Sequence, residues 1–148
     1  MAPPRTLAFL DASVLVAASR SPSGGSALTL EVCQGRTFRG AVTSRVLLEA
    51  RVNIAAKFGE AELLTYYRQL ASVRPEVVPP PSEARIRQAA LLTSEKDAHV
   101  LAAALACKAG WLVTLDRKHL LTPAVQSANL PLRAGTPGDF LQAILNKS

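Results

Sequence analysis

Two short, mainly apolar runs, Thr6-Leu-Ala-Phe-Leu10 and Trp111-Leu-Val-Thr-Leu115, each stop at an aspartate, and this pairing limits the fold more than any other feature of the chain. Runs of this length are too short for an ordinary helix and suit strands buried on both faces. Strands buried in that way belong to parallel sheets covered by helices. Asp11 and Asp116 are then expected at the carboxyl ends of their strands, the edge where such sheets form their binding crevice.

The segments between the two runs alternate in the same sense. Ala12–Ala18 begins a helix that a Ser/Gly/Pro loop, Ser19–Ser26, interrupts. Ala27–Cys33 reads as helical and ends near Gly35, and Gly40–Thr43 is a brief strand. Thr43 or Ser44 is a ready N-cap for a helix running to Phe58, with Gly59 as its stop. Val46, Leu47, Ala50, Ile54 and Phe58 recur along it at helical spacing. Ala61–Ser72 is an amphipathic helix through Leu63, Leu64, Tyr67, Leu70 and Ala71, and Glu76–Val78 is a strand closed by three prolines. Ser82 caps a helix to Leu92, and another runs from Glu95 to Lys108, with Gly110 as its stop. Leu130–Arg133 fits an edge strand, because Pro131 would remove a ladder bond from a central one. Thr136-Pro-Gly-Asp139 opens a last helix to Asn146, with Pro137 at its first position and Asp139 completing the cap. The alternation predicts an α/β fold, a central parallel sheet with helices on both faces, spanning residues 1–148 as one domain.

Composition narrows the class. A chain of 148 residues can bury roughly 68 to 70 % of its unfolded surface, so it needs no disulfide or structural zinc. At 49 % hydrophobic and 19 % charged residues it is far from the profile of a disordered chain. Cys33 and Cys107 lie far apart with no CxxC or Cys/His cluster, which suits a reduced, cytoplasmic setting. Met1–Leu10 lacks the apolar core of a signal peptide, and no stretch reaches the roughly 18 uninterrupted apolar residues of a membrane span. The net charge of +6 permits attraction to nucleic acid or to an acidic partner. Arg45, Arg51, Lys57, Arg68, Arg85, Arg87, Lys96, Arg117 and Lys118 are scattered, a broad electrostatic footprint without base readout.

Four acids carry the candidate chemistry, and each has a structural reading beside the functional one. Asp11 fits an N-cap at a strand-to-helix junction. Glu49 fits a solvated helix residue paired with Arg45 or bonded to Asn53. Ser94-Glu-Lys-Asp97 fits a capping box in which Asp97 reaches back to the first amide. Asp116 fits a turn closed with Arg117 or Lys118. Together the four suit phosphodiester hydrolysis, where hard oxygen ligands hold Mg²⁺ or Mn²⁺ to activate water and clamp phosphate. Two carboxylates about 4 Å apart repel by roughly 4 kcal/mol at an effective dielectric of 20, so such a cluster calls for a cation. His99 and His119 stand without a serine or cysteine nucleophile motif, although His119, three residues past Asp116, is within reach of a substrate at that site.

Leu10-Asp-Ala-Ser13, Leu48-Glu-Ala50, Lys96-Asp-Ala-His-Val-Leu-Ala102 and Val113-Thr-Leu-Asp-Arg-Lys-His-Leu120, in this order and followed by Thr136-Pro137 and Phe140-Leu141, resemble the PIN-domain family, whose best-known members are the VapC-type toxins of toxin–antitoxin pairs. The resemblance implies a three-layer α/β/α domain with Mg²⁺- or Mn²⁺-dependent endoribonuclease activity. It further implies catalytic roles for Asp11, Glu49, Asp97 and Asp116, with metal coordination by Asp11, Asp97 and Asp116. Ser13 and Thr114 match hydroxyl residues that accompany the acids, and Lys96, Arg117, Lys118 and His119 are candidates for contact with substrate. The implied partners are RNA, a small antitoxin at the acidic cleft and a second copy in a homodimer. The alternative is a PIN-like module that has lost catalysis and binds RNA or protein. Dehalogenase-type and receiver-type phosphotransfer sites are set aside, because Ser13 stands where the first needs a second Asp and the adjacent acids of the second are missing.

Overall fold

The computed structural model describes residues 5–146; residues 1–4, part of the segment judged to lack a signal peptide, lie outside that range. Five strands, β1 (Thr6–Leu10), β2 (Phe38–Val42), β3 (Glu76–Val77), β4 (Trp111–Val113) and β5 (Arg133–Gly135), form one sheet in the order β3-β2-β1-β4-β5. Every neighbouring pair is parallel. The chain first builds outward from β1 through β2 to β3, then crosses back to place β4 on the other side of β1. The direction of winding therefore reverses between β1 and β4, and the carboxyl ends of those two strands flank the switch point at which such sheets open a crevice.

The helices are α1 (Ala12–Arg20), α2 (Gly25–Val32), α3 (Ser44–Lys57), α4 (Glu60–Val73), α5 (Glu83–Ala89), α6 (Ala98–Ala106), α7 (Pro123–Gln126) and α8 (Pro137–Leu145). Helices α1 to α4 pack on one another, α8 joins α2, and α5 packs on α6, giving a three-layer α/β/α fold. Phe9, Leu10, Leu112 and Val113 of the two central strands are fully buried, as continuous apolar strands covered on both faces must be. Phe140 of α8 stands edge-on to Phe38 and Trp111, with ring centroids 5.0 and 5.3 Å away.

Several boundaries differ from those expected, each for a local reason. Strand β4 ends at Val113, so Asp116 lies three residues past the strand; the Thr114 hydroxyl beyond it is engaged by side-chain and loop bonds. Strand β5 begins at Arg133 and leaves Pro131 outside the ladder, while still lying at the sheet edge. Helix α6 begins at Ala98, not Glu95, and the chain leaves it through Lys108 in a left-handed conformation (φ 57°). Gly110 serves close approach instead of helix termination, for a Cβ there would meet Thr6 Cγ2 at 2.6 Å. Helix α2 starts inside the Ser/Gly/Pro segment at Gly25, and α7, capped by Thr122, is an element the periodicity did not reveal. On α4 the buried residues are Tyr66 and Val73, whereas Leu64 and Tyr67 are about half exposed. The Tyr66 hydroxyl donates to the Leu47 carbonyl at 2.8 Å, which lets a polar-tipped ring occupy the core side.

Candidate active site at the carboxyl ends of the strands

Asp11 follows β1 directly and is 7 % exposed, so its carboxylate needs partners. It has three. Oδ1 accepts the Ala12 amide at 2.9 Å, the N-cap bond of α1, and Oδ2 accepts the hydroxyls of Ser13 (2.8 Å) and Thr114 (2.7 Å). Those hydroxyls in turn accept the amides of Leu115 and Asp116, both at 3.0 Å. Asp11 thus ties the loop that follows β4 to the end of β1 across more than 100 residues of sequence. Its capping role and a role at the site coexist in one side chain. Thr114 is fully buried with its hydroxyl committed to this network, which makes it a positioning residue and leaves it no face for a substrate.

Asp116 uses Oδ1 to accept the amides of Lys118 (3.0 Å) and His119 (2.9 Å), closing the turn anticipated for it. Its other oxygen faces His119 Nδ1 at 3.5 Å, and the same nitrogen lies 3.2 Å from Asp97 Oδ2. Asp97 makes no side-chain capping bond to α6, and only half of the expected capping box is formed: the Ser94 hydroxyl accepts the Asp97 amide at 3.3 Å, while the Asp97 carboxylate does not reach back to the Ser94 amide. Instead its Oδ2 accepts the Ser94 hydroxyl at 2.8 Å. Among the described residues, Asp97, Asp116 and His119 offer ligand atoms that all lie within 4.8 Å of one another. The set fits a divalent cation, because two carboxylates supply hard oxygen donors and the imidazole adds a nitrogen that Mg²⁺ rarely takes but softer divalent ions accept.

Glu49 approaches from α3. Its Oε1 is 3.2 Å from His99 Nε2 and 3.6 Å from Arg45 Nε one helical turn back. His99 is 4 % exposed, and burial first, then the Arg45 charge, push its imidazole below the ordinary value of 6.5 against the opposing pull of Glu49 and Asp11. A neutral ring must carry its hydrogen on Nε2 to bond Glu49, so His99 acts as a buried strut that aims the Glu49 carboxyl. Nothing in the sequence spacing relates His99, in the first turn of α6, to Glu49, in the second turn of α3.

All four acids line one cleft of about 750 Å³ with Ser13, Lys96, Asn53 and Lys57. Asp97 and Asp116 belong to the group close enough to share an ion, whereas Asp11 and Glu49 line the cleft outside it. Arg117 and Lys118 are exposed on the following turn and do not line it. Its rim also holds the half-exposed apolar side chains Leu48, Val52 and Leu115.

A family model described as PIN domain matches residues 8–118, a span that contains the four acids and stops one residue before His119. No curated protein matches the chain. Ten chains of solved structures match, among them the following two. VapBC2 from Rickettsia felis, bound to a DNA fragment from its promoter, aligns with a TM-score of 0.65 at 16 % identity over 88 % of this chain and 98 % of that one. PAE2754 from Pyrobaculum aerophilum aligns with a TM-score of 0.61 at 18 % identity over 100 % of both chains. At these identities the likeness is one of fold.

Proposed function

The chain belongs to the PIN-domain family, and from that premise we propose that residues 1–148 form a single divalent-metal-dependent endoribonuclease domain. The observation that carries the reading is the convergence of Asp97 and Asp116, nineteen positions apart, on a shared point in a cleft that Asp11 and Glu49 also line. In this reading Asp97 and Asp116 hold Mg²⁺ or Mn²⁺, with Asp11 acting through water or through the loop it anchors. The bound cation would acidify a water and offset charge on the phosphate. Glu49, held by His99 and Arg45, orients the attacking water, and Lys96 and Lys57 on the cleft wall meet the phosphates flanking the scissile bond. His119, whose Nδ1 lies 3.2 Å from Asp97 and 3.5 Å from Asp116, would either join the two aspartates as a ligand or turn towards the substrate.

The family resemblance and the VapBC2 neighbour support a coarser partner assignment as well, a small antitoxin seated over the cleft, with the apolar rim of Leu48, Val52 and Leu115 beside the acids as its footing. The decisive experiment compares cleavage of a mixed-sequence RNA by wild type and by Asp97→Asn and Asp116→Asn in Mg²⁺, in Mn²⁺ and in chelator. Wild type should cut only with metal, leaving 5′-phosphate and 3′-hydroxyl ends, and each variant should lose at least about a hundredfold in rate, roughly 2.7 kcal/mol of barrier. RNA binding without turnover under every condition would favour the non-catalytic module instead.

A further inference from the structure

The acids occupy the carboxyl edge of the sheet, yet the chain has 17 Lys and Arg against 11 Asp and Glu. Lys57 and Lys96 line the acidic cleft itself, and another concentration of basic residues is at the opposite edge. Because β3, β2 and β1 are adjacent and parallel, their amino-terminal ends share that edge. Arg5 precedes β1, Arg39 is the second residue of β2, and Arg74 lies two residues before β3. Neighbouring strands are about 4.8 Å apart, so the topology brings three guanidinium-bearing residues to successive strand starts.

They line a pocket of about 390 Å³ together with Gln34, Ser72 and Val73. Glu76 answers one of the charges, through a 3.1 Å pair with Arg39. Arg5 reaches only the Gly35 carbonyl, at 3.5 Å, and among the described residues neither Arg5 nor Arg74 has a carboxylate within 4.0 Å. Arg74 also holds a left-handed backbone (φ 47°, ψ 61°) at the end of α4, a conformation uncommon outside glycine. Like charges gathered in one recess are unfavourable until an anion enters, and guanidinium forks match phosphate oxygens in geometry as well as charge. The Ser72 hydroxyl and the Gln34 amide supply neutral donors beside them.

We propose that this pocket is a phosphate-binding site, separate from the acidic cleft, that takes either the backbone phosphates of a nucleic-acid strand or a free polyphosphate. The test uses the full chain in chelator, so that it stands apart from the nuclease reading. Binding of pyrophosphate and of a labelled single-stranded RNA is measured for wild type, Arg74→Gln and Ser72→Glu, the last adding a repelling carboxylate while keeping every arginine. Melting temperatures identify any variant that fails to fold. Pyrophosphate affinity should fall about tenfold or more in both variants. If RNA affinity falls with it, and the salt slope of Arg74→Gln becomes shallower by roughly 1, the phosphates come from a nucleic-acid strand. If RNA binding is unmoved, the site serves a free polyphosphate. Wild type that binds no pyrophosphate at millimolar concentration, or variants that bind it as wild type does, would overturn the proposal.

Discussion

Replacing Asp11 by Asn should destabilise the metal-free protein, although removing one carboxylate from an acid-rich cleft would by simple electrostatics stabilise it. The reason lies in the number of donors aimed at Asp11. The carboxylate accepts from the Ala12 amide and from two hydroxyls, and each hydroxyl accepts one loop amide while giving its own hydrogen to Oδ2. An asparagine has one acceptor oxygen to offer. Turned towards Ala12, it sets an NH₂ against two hydroxyl hydrogens; turned towards the hydroxyls, it opposes the helix cap. Either way a buried donor is left unanswered, at a cost of about 1–3 kcal/mol. For a chain of this size each kcal/mol moves the melting temperature by about 2–4 °C, so Asp11→Asn should melt roughly 2–12 °C below wild type in chelator. Asp97→Asn is the matched control: Oδ2 of Asp97 accepts the Ser94 hydroxyl and lies 3.2 Å from His119 Nδ1, a position an amide oxygen can keep, so its cost should stay below about 1 kcal/mol. Calorimetry of the three proteins decides. An Asp11→Asn melt within a degree of wild type, or an Asp97→Asn melt equally depressed, would refute the account of Asp11 as the anchor of the loop after β4.

Three further outcomes follow from the same coordinates. Mn²⁺ at about a hundred times its dissociation constant should add about 2.7 kcal/mol to wild-type stability, and Asp116→Asn should abolish the gain; a melt indifferent to metal would count against the ion site. Burial pushes the Tyr66 phenol up to about 12, so its contribution is complete below pH 10, where the unfolded residue begins to ionise, and is lost as pH rises towards 12. Urea midpoints between pH 9 and 11.5 should fall more steeply for wild type than for Tyr66→Phe, which itself costs about 1 kcal/mol at neutral pH through loss of the bond to Leu47. Gly135→Ala would bring a Cβ to 2.9 Å from Asp139 Cβ and 3.1 Å from Trp111 Cζ3, pressing on the capping box of α8. Overpacking of that kind should cost about 1–3 kcal/mol in denaturant titration, and an unchanged midpoint would mean that Asp139 and the Trp111 ring give way freely.

Much of the molecule is written in local patterns. The apolar runs that became β1 and β4, the caps at Thr43, Ser82 and Thr136, and the capping box closed by Asp139 all appear where residues a few positions apart satisfy one another's hydrogen bonds. Where local and tertiary demands compete, the pattern misleads. Ser94-Glu-Lys-Asp97 has the form of a capping box, but the bonds open to Asp97 from Ser94 and His119 lead its carboxylate away from the helix amides. Leu64 and Tyr67 have helical periodicity, yet Tyr66 is the ring that α4 buries, because the Leu47 carbonyl of α3 stands ready to take its hydroxyl.

The order of strands and of every helix but α7, the burial of β1 and β4 and the candidacy of four acids were legible in the sequence, since periodicity, capping and residue chemistry act over a few positions. Tertiary structure decided what those acids are near. It put His119 between Asp97 and Asp116, gave Glu49 a buried histidine from another helix, turned Thr114 inward to serve Asp11 and collected three arginines at the far edge of the sheet. Such contacts follow from parallel pairing and crossover, which join residues more than a hundred positions apart, and no short-range spacing records them.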